Sequence, residues 1–211
     1  NNKGWSKHKQ YSIPDKLRAT AKMYWCFGVS REIRWEKKCR KYNRTAKILT
    51  WDPTPMSQLT VDQANRGGYM IEHTNKAYDK ESGKIRKFYA IDDTKKCYQL
   101  DRPKNSYDEI EVETINLKTI AEQHGRDVDV IKLDIEGRWH EMLTEILDLG
   151  LAPKIVLVEC EMYIGDHDAQ FLKLDSMVER YQKTGFTVLT NRQTNGECVE
   201  LCFLKYKDAI L

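Results

Sequence analysis

The run Val128-Asp-Val-Ile-Lys-Leu-Asp-Ile-Glu-Gly-Arg-Trp-His-Glu-Met-Leu143 constrains the fold more than any other part of the chain. It reads as a buried parallel strand that ends in two acids and a glycine, followed by an amphipathic helix. Strand ends of this kind are where open α/β sheets hold their ligands. The twofold period of an extended chain places Asp134 and Glu136 on one side, with Leu133 and Ile135 in the apolar part of the run. Two carboxylates therefore meet at the carboxyl edge of a sheet. An acid after a buried strand also serves as a helix cap, so Glu136 taken alone admits a purely structural reading.

The rest of the sequence alternates between strand and helix patterns. Lys22 to Phe27 predicts a strand, Glu32 to Tyr42 a helix, Lys47 to Trp51 a second strand and Pro55 to Asn65 a second helix, with Thr54 as its cap, Pro55 in its first turn and Gly67 at its stop. Tyr69 to Glu72 continues the series. A hairpin-like segment follows, with Asp79 to Gly83 as the turn before a strand from Lys84 to Ile91. Leu117 to His124, Trp139 to Leu147 and Phe171 to Tyr181 have helical spacing, while Ile155 to Val158 is wholly apolar. Asn195-Gly196 predicts a tight antiparallel connection between Phe186–Leu189 and Cys198–Leu204.

Three of these segments carry a family resemblance, in the right order. Lys132-Leu-Asp-Ile-Glu-Gly137 resembles the signature strand of FkbM-type methyltransferases, Met23 to Ser30 resembles their first strand and cofactor loop, and Ile48 to Pro55 resembles their second strand. The similarity runs from about Ala21 to Tyr206. It implies an α/β Rossmann-like methyltransferase sandwich: a mostly parallel central sheet, an antiparallel strand at one edge and helices on both faces. It also implies S-adenosylmethionine as cofactor and a hydroxyl, often of a sugar such as rhamnose or fucose, as acceptor. The expected division is a lead-in segment over residues 1–20 and the methyltransferase domain over 21–211.

Phe27, Gly28, Val29 and Ser30 are the expected cofactor loop. A glycine permits close approach of a nucleoside because it has no side chain. Asp52, ending the second strand before Pro53, is placed to accept hydrogen bonds from ribose hydroxyls. A nicotinamide enzyme needs a fuller glycine fingerprint for its pyrophosphate, which this loop lacks.

Methyl transfer to a hydroxyl requires removal of the acceptor's proton or its binding to a metal. Asp134 is the first candidate for either task, with Glu136 beside it and His140 as an alternative proton acceptor. Glu159 and Glu161, ending the Ile155 strand, complete with Asp134 a set of oxygen ligands suited to Mg²⁺ or Mn²⁺. The same acids can instead meet lysines, for which Lys132 and Lys154 are close in sequence. Two positions depart from the family pattern: Trp139 replaces a glutamate and Glu161 replaces a histidine. Trp139 reads as a stacking platform for a sugar or as core. Tyr24, Trp25, Trp35 and Trp51 are candidates for an acceptor cleft, and Asp92 and Asp93 for contacts to adenine or acceptor. Two other functions fit the same motifs: an RNA ribose 2′-O-methyltransferase, and a binding module that keeps the fold without turnover.

Composition limits the partners. The formal charge is +3 over 211 residues, too small a bias to argue for nucleic acid. No run is apolar enough to cross a bilayer, and no signal peptide core is present. A soluble, cytoplasmic protein is expected (host cytoplasm if viral), a secretory compartment being the alternative. The chain begins at Asn1 rather than Met, which points to a piece of a longer protein, with a glycosyltransferase domain as a possible neighbour. The six cysteines show no metal-ligand spacing. Cys26 and Cys160 read as core, Cys198 and Cys202 are too far apart along a strand to bridge, and Cys39 and Cys97 read as more exposed.

Overall fold

The computed structural model describes residues 5–7, 11–90, 98–99, 108–164, 166–194 and 198–205. In chain order, β1 (Trp5–Lys7) and β2 (Ser12–Pro14) pair antiparallel ahead of α1 (Asp15–Thr20). Then come β3 (Met23–Phe27), α2 (Arg34–Tyr42), β4 (Lys47–Trp51), α3 (Pro55–Arg66) and β5 (Glu72–Thr74). A small sheet is formed by β6 (Ala77–Tyr78), β7 (Ile85–Ala90), β8 (Tyr98–Gln99) and β9 (Glu109–Ile115). The chain ends with α4 (Leu117–His124), β10 (Val130–Leu133), α5 (Trp139–Asp148), β11 (Ile155–Glu161), α6 (His167–Lys183), β12 (Phe186–Thr194) and β13 (Cys198–Lys205).

The main sheet has seven strands in the order β12-β13-β11-β10-β3-β4-β5. β11, β10, β3, β4 and β5 run parallel, while β13 is antiparallel to both β11 and β12. From β3 the chain first winds outward through β4 to β5, and later returns on β3's other side with β10 and β11. The boundary between β3 and β10 is therefore the switch point of the sheet, where ligand crevices open in such folds.

Alternation along the strands supplies two cores. Trp25, Phe27, Leu49, Trp51, Ile131 and Leu133 face α4, α5 and α6 through Ile120, Leu143 and Met177. Tyr24, Cys26, Ile48 and Val130 face the other helical layer through Leu17, Trp35, Cys39 and Val61. Burying an aliphatic side chain of this kind contributes about 1.5–3 kcal/mol. Helix ends follow local chemistry: the Asn116 side chain accepts from Thr119 N–H at the start of α4, and Asp166 accepts from Asp168 and Ala169 N–H at the start of α6.

Several expectations need correction. β10 stops at Leu133, so Asp134 and Glu136 lie in the following turn rather than on a strand face. The Asp79–Gly83 turn does not join a hairpin, because Ala77–Tyr78 pairs parallel with β9 while β7 pairs antiparallel with β9 and β8. Thr54 occupies the cap position of α3 but its side chain makes no cap bond; the Ser57 hydroxyl donates to the Asp52 and Thr54 carbonyls instead. Cys39 is fully buried, and no disulfide joins the described cysteines. Asn195-Gly196, Cys97, Asp92 and Asp93 lie outside the described residues, as does Tyr206 at the end of the similarity. Among the described residues no helix is long and apolar enough to cross a membrane.

At the amino ends of the central strands, Asp129 acts as a clamp. Its side chain accepts from Lys22 and Met23 N–H at 2.6 and 3.1 Å and pairs with Lys154 Nζ at 2.7 Å. Burial alone would raise the Asp129 carboxyl, but Lys154 and the two N–H donors hold it below the usual carboxylate range. A depressed folded-state value means stability that is present above the ordinary value of about 4 and lost as pH falls through the lower one. Asp129→Ala should thus cost roughly 1–3 kcal/mol in urea unfolding at pH 7, and the gap to the native chain should close as the pH falls below about 4.

Candidate active site

Register aligns the site. Phe27 pairs with Leu133 and Trp51, and Leu133 with Val158, so the next residue of each strand falls in one row along the carboxyl edge. That row is Asp52, Gly28, Asp134 and Glu159. It opens into a cavity of about 300 Å³, at the lower end of the range for small-molecule sites. Phe27 and Trp51 stack at 4.9 Å along its wall, and Trp35, Tyr78 and Phe88 add further aromatic surface.

Gly28 is required by the fold itself. Its φ is +79°, and a Cβ added there would lie 1.7 Å from the Asp134 carbonyl oxygen. The space a side chain would take is already filled by the neighbouring strand end, which differs from the expected reason of cofactor approach. Gly28 N–H donates to the Trp51 carbonyl and Asp134 N–H to the Phe27 carbonyl, each at 3.0 Å. The three strand ends are thereby tied at the switch point.

Asp52 holds the loop after Gly28. One of its oxygens accepts from Val29 and Ser30 N–H at 2.5 and 2.6 Å, and the other from Thr54 N–H at 2.7 Å. At 3% exposure, with three of a carboxylate's roughly four acceptor sites used, Asp52 is mainly committed to the protein. Ser30, at φ +42°, is bent into a conformation rare for non-glycine residues.

Lys132 is the charge at the centre. It comes from the middle of an otherwise apolar strand, and its ammonium donates to the Gly28 carbonyl at 2.9 Å while lying 3.2 Å from Glu36 and 3.6 Å from Asp134. Burial works against this charge, but Glu36 and Asp134 outweigh it and hold the amine above its ordinary range. A buried lysine needs such partners, and removing one typically costs about 3–5 kcal/mol. Of the two lysines considered in the sequence, Lys132 meets Asp134 and Lys154 meets Asp129.

The other candidates separate. Glu136 lines the cavity and accepts from the Tyr163 hydroxyl at 2.7 Å. Glu159 lines it too; burial, and then Asp134, push its carboxyl above the usual range. Glu161 is 2% exposed and accepts from Gly137 N–H at 3.1 Å, away from the cavity lining; burial and then Glu136 raise it well above the ordinary value. The Asp134–Glu159–Glu161 metal set does not form, since among the described residues no group of three or more His, Cys, Asp or Glu side chains could hold a metal ion. His140 does not line the cavity: its ring lies edge-on to Trp139 at 5.7 Å, and its charged neighbours are Glu141, Lys173, Arg180 and Lys80. Trp139, 1% exposed, is core rather than a stacking platform, as are Tyr24 and Trp25. Trp35, Trp51 and Pro53 are at the cavity, with Phe27, Val29 and Ser30.

Several residues at the site were not singled out from sequence, Glu36 and Tyr11 among them. Glu36 is indistinguishable there from the other charged residues of α2, and Tyr11 lies in the expected lead-in segment, in no motif. Lys132 did carry a signal, because a lysine inside a buried strand must find a counter-charge.

The model of the FkbM methyltransferase domain matches residues 25–186. The chain belongs to the FkbM methyltransferase family. No curated protein matches it in sequence. Among solved structures it resembles the cofactor-bound Rv0187 protein from MTB, at a TM-score of 0.51 and 10% identity over 92% of this chain and 78% of that one. It also resembles the METTL16 methyltransferase domain, at 0.50 and 11% identity over 90% of this chain and 62% of that one. At these identities the likeness is one of fold, and it agrees with the Rossmann-like sheet described above. The family assignment makes S-adenosylmethionine the expected cofactor.

Gly28→Ala should destabilise the chain by at least about 2 kcal/mol, because it combines positive φ with a backbone clash. Gly150, with φ +61° and no atom within 4 Å of its missing Cβ, provides the comparison. Gly150→Ala should cost only about 1–2 kcal/mol in the same urea titration.

Proposed function

We propose that this chain is an S-adenosylmethionine-dependent O-methyltransferase acting on a sugar or glycan hydroxyl, with rhamnose or fucose as the type of acceptor. The observation that carries this reading is the row of Asp52, Gly28, Asp134 and Glu159 at the switch point, opening onto one aromatic-walled cavity. The lining suits the cofactor. An aromatic wall takes adenine, and an acid-rich surface suits a sulfonium cation. When bound, the cofactor supplies an electrophilic methyl group.

The protein's own residues then have distinct tasks. Asp52 fixes the loop from Gly28 to Ser30 and so shapes the cofactor side of the cavity. Asp134, whose side chain is about one-third exposed, is the base that takes the acceptor hydroxyl's proton. Lys132 holds Asp134 in place and offsets part of its charge. Glu136 stands at the same opening, as an acceptor contact. No metal is invoked, because no three His, Cys, Asp or Glu side chains among the described residues form a ligand set.

The charge of the cavity distinguishes acceptors. Six acids line it (Glu32, Glu36, Asp52, Asp134, Glu136 and Glu159) against three bases (Lys76, Lys132 and Arg138). A nucleic-acid backbone would be repelled there, whereas a neutral sugar would not. This supports the saccharide reading over RNA ribose methylation.

The test combines calorimetric titration with S-adenosylhomocysteine and transfer of labelled methyl to methyl rhamnosides and methyl fucosides. Asp134→Asn should retain binding and lose transfer by about 10²–10⁴-fold, the usual contribution of a positioned base. Absence of binding by the native chain would contradict the cofactor reading. Binding without transfer to either sugar would contradict the acceptor class, and undiminished transfer by Asp134→Asn would remove Asp134 as base.

A further inference from the structure

Tyr11 precedes the family-matching residues 25–186, yet it lines the cavity and is only 2% exposed. Its segment is firmly seated: Ile13 and Leu17 are 0% and 2% exposed in the core shared with α2. The Tyr11 ring meets Trp35 edge-on at 6.3 Å, and the Lys132 ammonium lies over it, 5.2 Å from its centre. Its hydroxyl donates to Glu159 Oε2 at 3.4 Å. One phenol thus touches Glu159 and the lysine that pairs with both Asp134 and Glu36.

We propose that Tyr11 is a positioning residue of the transfer site, holding Glu159 through its hydroxyl and Lys132, the partner of Asp134, against its ring, and thereby fixing the orientation of the base. This rests on the reading of Asp134 given above. A phenol has one proton to donate, and here it goes to Glu159, so Asp134 is steadied through Lys132 and keeps its lone pairs for the acceptor's proton. Two neighbouring carboxylates resist double ionisation, and a donor held on Glu159 eases that repulsion. The charged and titratable groups facing the link are Lys132 and Asp134 from the end of β10, Glu159 from β11, Cys198 and Glu200 from β13, and Glu36 from α2. The segment before the family-matching residues is, in this account, part of the catalytic apparatus.

Carbon-13 NMR of the chain labelled at tyrosine Cζ and at the aspartate and glutamate carboxyls, at fixed neutral pH, tests the link directly. Tyr11→Phe keeps the ring and its packing but removes the hydroxyl. It should shift the carboxyl resonances of both Asp134 and Glu159 and leave Asp129, at the opposite strand ends, unmoved. Glu159→Gln should reciprocally shift the Tyr11 Cζ resonance. On any acceptor that the native chain methylates, Tyr11→Phe should lower kcat by about 10–100-fold with the KM for S-adenosylmethionine unchanged, as for a base held slightly out of place. A folded Tyr11→Phe with both carboxyl resonances unmoved would overturn the proposal. If that variant does not fold, an unmoved Tyr11 resonance in Glu159→Gln would do the same. Failure of the native chain to bind S-adenosylhomocysteine would strike the cofactor reading alone, because the resonance shifts do not depend on it.

Discussion

The contact between the Gly28 α-carbon and the Asp134 carbonyl is the constraint around which the rest of this molecule is arranged. At 1.7 Å from that oxygen there is no room for a Cβ, so the first strand can meet its neighbour at the switch point only through glycine. Once they meet, the Gly28 loop and Asp134 become neighbours by construction. Parallel register carries the effect sideways: Asp52 and Glu159 fall in the same row because their strands are paired without slip through Trp51 and Val158. Sheet geometry thus performs most of the work of assembling the site.

Charge is the second constraint. A lysine at the centre of a buried strand is tolerated because the Gly28 carbonyl, Glu36 and Asp134 surround it. Such a group adds little net stability compared with an apolar side chain, since desolvation offsets most of the attraction. Its value lies in tying the glycine loop, α2 and the acid-bearing turn to one point. Acids outnumber bases around the cavity, so the site is electrostatically suited to a cationic cofactor and an uncharged acceptor.

Much of this was legible in the sequence, for physical reasons. Strands of the main sheet announce themselves by uninterrupted apolar runs, as in Ile155 to Val158, and α4 by its helical spacing from Leu117 to His124. Gly28, Asp52 and Asp134 could be brought forward as candidates because ligands bind at strand ends in an open α/β sheet. The small sheet was harder. Glu-Ile-Glu-Val-Glu-Thr-Ile, over β9, does alternate, but its partner β6 is two residues long and its pairing is nonlocal. His140 and Glu161 were misplaced because sequence distance from a motif says little about which side of a helix or turn a side chain takes. The strand ends at Leu133, before the Glu136 to which twofold spacing carries it, and Asp134 and Glu136 therefore lie beyond it. Tyr11 had no local signal at all; only tertiary packing brings it to the acids.

A crystal structure of the chain with S-adenosylhomocysteine tests the central claim most directly. The nucleoside should lie against the Phe27–Trp51 wall beside the Gly28 loop, with its sulfur facing Asp134. A nucleoside bound elsewhere, or a Gly28 loop displaced from the Asp134 carbonyl on binding, would contradict it.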